Sequence, residues 1–159
     1  MLSSVDAATK GESVSPHDPI AVVRRNTEEV QGRGDFAVFD ELFAAEFVDH
    51  TPQPGFPADR EAVRTLYRTL REAFPDFHAE IHFQFVEAGG DRVTTYKTYH
   101  GTHQRTFMGI AATGRTIHFE TVDVMRVRDG KITEHWGVGN LFSLAQQLGL
   151  LPAMGLGSP

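Results

Sequence analysis

The segment from His118 to Gly149 constrains the fold more than any other, because it reads as two strands joined by a tight turn and closed by a helix. Arg128-Asp129-Gly130-Lys131 is a hairpin signal: Asp-Gly tolerates the positive φ angles of a short turn, and alternating apolar residues flank it on both sides. On the incoming strand Ile117, Phe119, Thr121, Asp123, Met125 and Val127 then share one face. Asp123 is a carboxylate on an otherwise mostly apolar surface. Such surroundings disfavour the charged form, which predicts a raised pKa and makes Asp123 a candidate general acid/base; the alternative is a carboxylate paired with a buried arginine.

The rest of the chain supplies helices first and strands afterwards. Asp18-Pro19 is an N-cap followed by proline at the first helical position, and Ile20, Val23, Thr27 and Val30 recur at helical spacing up to Gly32-Arg33-Gly34. A second, short helix starts at the Asp35 cap, and the chain then runs extended to His50 before a proline-rich loop, residues 51–57. Asp59 can cap a third helix whose Ala62, Val63, Leu66, Leu70, Ala73 and Phe74 form an apolar stripe, with Tyr67 beside it and Pro75 ending it. From Phe77 the period changes to two: Phe77, Ala79, Ile81, Phe83 and Phe85 alternate with His78, Glu80, His82 and Gln84, as in a strand with one wet face. Further strands are expected near 92–102, 115–128 and 131–140, and a last helix after Asn140. The order α-α-β-α-β-β-β-β-α predicts one α+β domain, residues 18–151, in which a strongly curved, cone-shaped antiparallel (mixed) sheet wraps around the N-terminal helices. Residues 1–17 are expected to be a flexible N-terminal tail and residues 152–159 a C-terminal tail.

Charge and composition narrow the partners. Lys and Arg total 15 against 21 for Asp and Glu, a formal charge of -6, which disfavours nucleic acid and anionic lipid. No apolar run is long enough to span a bilayer, and residues 1–18 lack the basic start and apolar centre of a signal peptide, so the expected location is the cytoplasm. Without cysteine there is no disulfide, thiolate nucleophile or thiolate metal site. The eight histidines form no helical metal-ligand pair with a carboxylate, and no Gly-rich phosphate loop follows a parallel strand, so neither a metal nor a cofactor is expected.

Several short motifs carry a resemblance: Phe47-Val48-Asp49-His50-Thr51-Pro52, Arg71-Glu72-Ala73-Phe74-Pro75-Asp76, Gly101-Thr102-His103, Ala112-Thr113-Gly114-Arg115, Met125 through Ile132, Glu134-His135-Trp136 and Gln147-Leu148-Gly149. From about Ile20 to Gly149 the chain resembles the SnoaL-like polyketide (ester) cyclases of the nuclear-transport-factor-2-like superfamily. The resemblance implies a cone fold and a cofactor-free enzyme that closes a ring by intramolecular aldol condensation in an apolar pocket. It also implies a catalytic aspartate after the hairpin and a pocket histidine on the incoming strand. Gly137 stands at the aspartate position and Asp123 at the histidine position, so the base most expected from this sequence is Asp123.

His50, at the expected rim of the cone, is the second catalytic candidate, able to donate to a carbonyl or exchange protons with Asp123; its alternative role is a hydrogen bond within its own loop. On strand 92–102, Lys97 prefers water, which predicts Tyr96, Thr98 and His100 on the pocket side and Tyr99 outside. His103 is a substrate-binding candidate or a strand-end hydrogen bonder, Trp136 a flat pocket wall or core residue, and Asn140 a carbonyl donor or the cap of the last helix. Tyr67 completes the substrate-binding set. The expected substrate is a small, aromatic or polyketide-like molecule, and the expected assembly is a homodimer or higher homo-oligomer formed through the exposed face of the sheet. Two alternatives remain open: a hydroxylase- or hydrolase-like relative, and a non-catalytic ligand-binding or dimerisation domain.

Overall fold

The computed structural model describes residue 15 and residues 17–152; the expected tails lie outside them apart from Ser15, His17 and Pro152. Asp18 caps the first helix by accepting from the Ile20 amide, and Pro19 opens it, so α1 spans Pro19–Arg25. It continues without a break into a π-helical stretch, Asn26–Gly32. Asn26, Thr27, Val30 and Gln31 of this stretch are all buried. Asp35 caps α2 (Phe36–Leu42) and Asp59 caps α3 (Arg60–Ala73). Between them runs β1 (Phe43–Asp49), and after α3 come β2 (His78–Val86), β3 (Arg92–Thr102), β4 (Thr116–Arg128), β5 (Lys131–Gly139) and α4 (Leu141–Gln147). This is the expected order, and among the described residues no helix is long and apolar enough to cross a membrane.

The five strands form one mixed, curled sheet in the order β1-β5-β4-β3-β2, with β1 parallel to β5 and the other pairs antiparallel. Asp129 (φ 51) and Gly130 (φ 73) both adopt the left-handed region, as a two-residue hairpin turn requires. Ile117, Phe119, Thr121, Asp123, Met125 and Val127 are all buried, as the turn predicts. Two bulges then reverse the phase elsewhere. On β5, Val127 faces Ile132 but Arg126 faces Glu134, so Thr133 is the extra residue. On β2, Ile81 faces Lys97 but Phe83 faces Tyr96, so His82 is extra. The second bulge corrects the expectation of regular alternation over 77–85: Phe83 and Phe85 point outward, 53% and 52% exposed, while Gln84 turns inward to bond Thr95 Oγ1.

Two apolar clusters fill the space between sheet and helices. One joins Val22, Val30 and Phe39 to Val93, Met125 and Ile132; the other joins Phe74, Phe77 and Leu144 to Tyr99, Ile117 and Phe119. Between them on the inner face lie Thr95 and Lys97 of β3 and Thr121 and Asp123 of β4, a buried polar seam across an otherwise apolar interior.

Candidate active site

The seam is held by strand register. Thr95 faces Asp123 and Lys97 faces Thr121, so Lys97 and Asp123 are diagonal neighbours on the inner face; the bulge on β5 brings His135 opposite Met125 and diagonal to Asp123. Lys97 Nζ lies 2.6 Å from Asp123 Oδ2, with the two side chains only 1% and 7% exposed. The ammonium also donates to Gln31 Oε1 (3.1 Å), which accepts from the Tyr99 hydroxyl as well (2.9 Å). On the other side Asp123 Oδ1 lies 3.4 Å from His135 Nε2, and His135 Nδ1 contacts Asp49 Oδ1 at 2.9 Å. Asp49 is steadied by the Thr51 amide. The result is an alternating chain, Lys97–Asp123–His135–Asp49, that runs from the sealed interior to a histidine 19% exposed. Tyr67 is buried beside it, accepting from Asn26 Nδ2 at 3.5 Å.

Alternating charges decide the protonation states. Burial is the largest influence on Asp123 and pushes its pKa up, but the Lys97 charge and the His135 hydrogen bond outweigh it and hold the carboxyl well below the usual carboxylate range. The raised pKa expected for Asp123 is thereby corrected: its surroundings are not apolar, because the partner strand delivers a buried lysine. Burial lowers the pKa of His135, yet its bonds to Asp123 and Asp49 lift it to about 9. Asp49 is pushed up by burial and brought below its usual value by His135. Two cations and two anions therefore balance, which is the condition under which such a buried cluster is tolerated. Burial raises the pKa of both Tyr67 and Tyr99, so both phenols remain protonated donors.

Gly137 marks the focus of the site. A Cβ there would stand 2.7 Å from His135 Nε2 and 2.8 Å from Asp123 Oδ1, so the imidazole and the carboxylate converge on the place a side chain would fill. The adjacent Thr121 hydroxyl is buried and has no hydrogen-bond partner among the described residues. A small hollow of about 10 Å³, enough for one water, opens beside Asp49 under Pro52, Phe56, Val63 and Leu66.

Of the expected site residues, the structure brings together Asp123 and Tyr67 alone. Tyr96 and His100 lie on the outer face, a correction with a simple cause: each is paired with a β4 residue, Val122 and His118, that points away from Asp123. Tyr96 packs between His82 and Phe83, and His100 stacks on His78 and His118. Tyr99, expected outside, is inside with Lys97. His50 and Trp136 are also outer-face residues, stacked on one another at 4.4 Å, with His50 Nε2 bonded to Glu134 at 2.8 Å. The β5 bulge is responsible, since without it Trp136 would share Asp123's face. His103 is fully buried but bonds Thr113 and stacks on Phe74, tying down the 104–115 loop outside the charged chain. Asn140 caps α4 by accepting from the Ser143 amide and donates to Glu120. Sequence reasoning missed Lys97, His135, Asp49, Gln31 and Tyr99; propagating β4's phase across to β3 could have found Lys97 and Tyr99.

The molecule matches known proteins along most of its length. IdmH from Streptomyces antibioticus, a candidate polyketide cyclase, is 33% identical and superposes over 84% of this chain and 99% of its own with a TM-score of 0.73. A candidate polyketide cyclase from Bacillus cereus ATCC 10987 is 29% identical over 84% of this chain and 81% of its own, with a TM-score of 0.72. AclR from Streptomyces galilaeus, a candidate hydroxylase, is 27% identical over 89% of this chain and 87% of its own, with a TM-score of 0.77. No curated protein sequence matches the chain. A profile of the SnoaL-like polyketide cyclases matches residues 21–148, nearly all of the described residues, and with the curled sheet and its covering helices this makes the chain a member of that family.

Proposed function

We propose that the protein is a cofactor-independent enzyme acting by acid/base chemistry on a small polyketide-like substrate, with ring closure by intramolecular aldol condensation as the reaction. The observation that carries the reading is the convergence of Asp123 Oδ1 and His135 Nε2 on the vacant Cβ position of Gly137. Where relatives are expected to carry an aspartate, this chain gathers a carboxylate and an imidazolium from neighbouring positions.

The 3.4 Å contact between them is the longest link of the chain and the one a substrate oxygen can replace. A carbonyl oxygen that takes the Nε2 proton as its hydrogen-bond donor deprives Asp123 of one of its two cationic neighbours. The carboxylate becomes more basic while the imidazolium stabilises the enolate. Asp123 then removes the proton next to the carbonyl, the enolate carbon bonds to a second carbonyl carbon, and the resulting alkoxide takes the proton back. Asp49 orients the ring of His135 throughout, and Lys97 stays put as a fixed counter-charge.

Asp123→Asn and His135→Gln should each lower turnover about 100-fold or more, and should equally slow deuterium exchange at an enolisable position of a 1,3-dicarbonyl probe followed by NMR. Undiminished exchange in folded Asp123→Asn would sink the proposal. The likeness to AclR, a candidate hydroxylase, supports a second reading, hydroxylation of the substrate. Oxygen consumption with a reduced quinone distinguishes it. Ligand-induced thermal stabilisation with no product would favour a binding domain.

We further propose that the protein works as a homodimer closed over its outer sheet face. Phe83 (53% exposed), Phe85 (52%), Val122 (38%) and Val138 (75%) lie on that face, uncovered by any described helix, and such apolar faces are normally partnered.

A further inference from the structure

Most arginines of this chain are paired with a carboxylate; Arg115, which is not, donates instead to the Gln147 carbonyl. Arg24, Arg25, Arg60, Arg64, Arg92, Arg126 and Arg128 each sit beside a carboxylate. Arg68, Arg71 and Arg105 have none within ion-pair distance among the described residues, and these three line one open hollow of about 370 Å³ together with Arg33, Gly34 and Phe36. Arg33 reaches Glu29 only at 3.8 Å, and Glu72 is the one carboxylate in the lining. In a protein of formal charge -6, four guanidiniums around one depression are a local reversal of sign.

Two of the four are held in place. Arg71 Nη1 donates to the carbonyl oxygens of Gln31 (2.9 Å), Gly32 (2.5 Å) and Phe77 (3.1 Å), which fixes its guanidinium under the turn. Gly34, at φ +74, has no side chain to cover the Nε edge: a Cβ would lie 2.5 Å from it. Arg68 is stacked over the Phe36 ring at 5.0 Å. Arg33 and Arg105 are exposed and can close on a ligand from the rims. Planar forks presented together match a multiply charged oxyanion far better than a single carboxylate, which one arginine satisfies. The volume falls within the range of small-molecule sites and exceeds what a lone inorganic ion fills.

We propose that this hollow binds the phosphoryl group of a small phosphoester, at a site separate from the Asp123–His135 pair. The test is titration calorimetry of the intact protein at low salt with pyrophosphate as the probe, inorganic phosphate and malonate being run beside it. Saturable pyrophosphate binding is expected, with phosphate weaker and malonate weaker still. Arg68→Gln/Arg105→Gln removes two exposed side chains and should weaken pyrophosphate binding about tenfold or more. The control Arg24→Gln/Arg92→Gln removes equal charge elsewhere and should change it less than about twofold. The proposal is overturned if pyrophosphate gives no saturable binding, if malonate binds as tightly, or if both double variants lose binding equally, which would mean net charge alone.

Discussion

The two faces of one sheet carry reversed chemistry. The inner face, where apolar residues belong, buries Lys97 and Asp123 and half-buries His135, while the outer face holds Phe83, Phe85, Val122 and Val138 in the open. Neither placement helps an isolated monomer: a buried ion pair rarely stabilises relative to a well-packed apolar pair, and exposed phenylalanines gain nothing from burial they do not have. On the function proposed above, the inner anomaly serves a reaction and the outer one a partner.

The largest effect should come from halving the inner pair. Lys97→Met leaves the Asp123 carboxylate buried against one remaining cation, and urea unfolding should show a loss of about 3–5 kcal/mol. Adding Asp123→Leu should recover much of it, because two apolar side chains restore neutrality. If the single variant is as stable as the parent, the seam is not a charged core and the contrast between the faces collapses.

Next comes pH, where the inner face should titrate and the outer face should not. His135 has a folded pKa raised to about 9, so its contribution is complete below the unfolded value near 6.5 and disappears as pH rises through 9. The loss is at most about 3 kcal/mol. Asp49 and Asp123 have lowered folded values, so their contributions exist above the unfolded carboxylate range and are lost on acidification through their folded values. Stability should therefore peak between about pH 5 and 6.5, and His135→Gln should flatten the alkaline limb in a series of urea melts.

The framework of this sheet was readable from Asp129-Gly130, the Asp caps and the helical spacing, because each acts within a few residues of itself. The site was not, and the failures trace to three causes. The β5 bulge exchanged His135 for Trp136 on the inner face, and the β2 bulge expelled Phe83 and Phe85; an extra residue leaves almost no local mark. Asn26 and Gln31 flank Thr27 and Val30 on the inward side of the first helix, but as polar residues they leave no mark in an apolar pattern. Lys97 departs from expectation for a different reason: the preference of a lone lysine for water is outweighed by the Asp123 carboxylate on the neighbouring strand's inner face, which makes its burial tolerable. Asp123 and Lys97 explain each other, and neither can be read singly.

A smaller effect on stability, with a large one on mass, is expected for the outer face. Phe83→Ser/Phe85→Ser alters side chains the monomer leaves exposed, so it should shift the monomer's unfolding by less than about 1 kcal/mol while converting a dimeric mass to a monomeric one by light scattering. A parent protein that is already monomeric at working concentration contradicts the dimer.

The smallest effect belongs to the second histidine of the pair His135 and His50. The two residues are backbone neighbours, His50 just past β1 donating its amide to the carbonyl of His135 in mid-β5, yet their side chains fall on opposite faces. His135 is wedged between two buried carboxylates. His50 lies on Trp136 with its imidazole 39% exposed and one partner, Glu134, which Arg126 also holds at 2.5 Å. Removing an exposed hydrogen bond whose carboxylate keeps Arg126 costs little. His50→Gln should thus lower stability by no more than about 0.5 kcal/mol and leave turnover within about twofold of the parent, whereas His135→Gln abolishes most of it. A collapse of turnover in His50→Gln at unchanged stability would move the chemistry to the outer face, and the division of labour between the two sides of the sheet would have to be drawn the other way round.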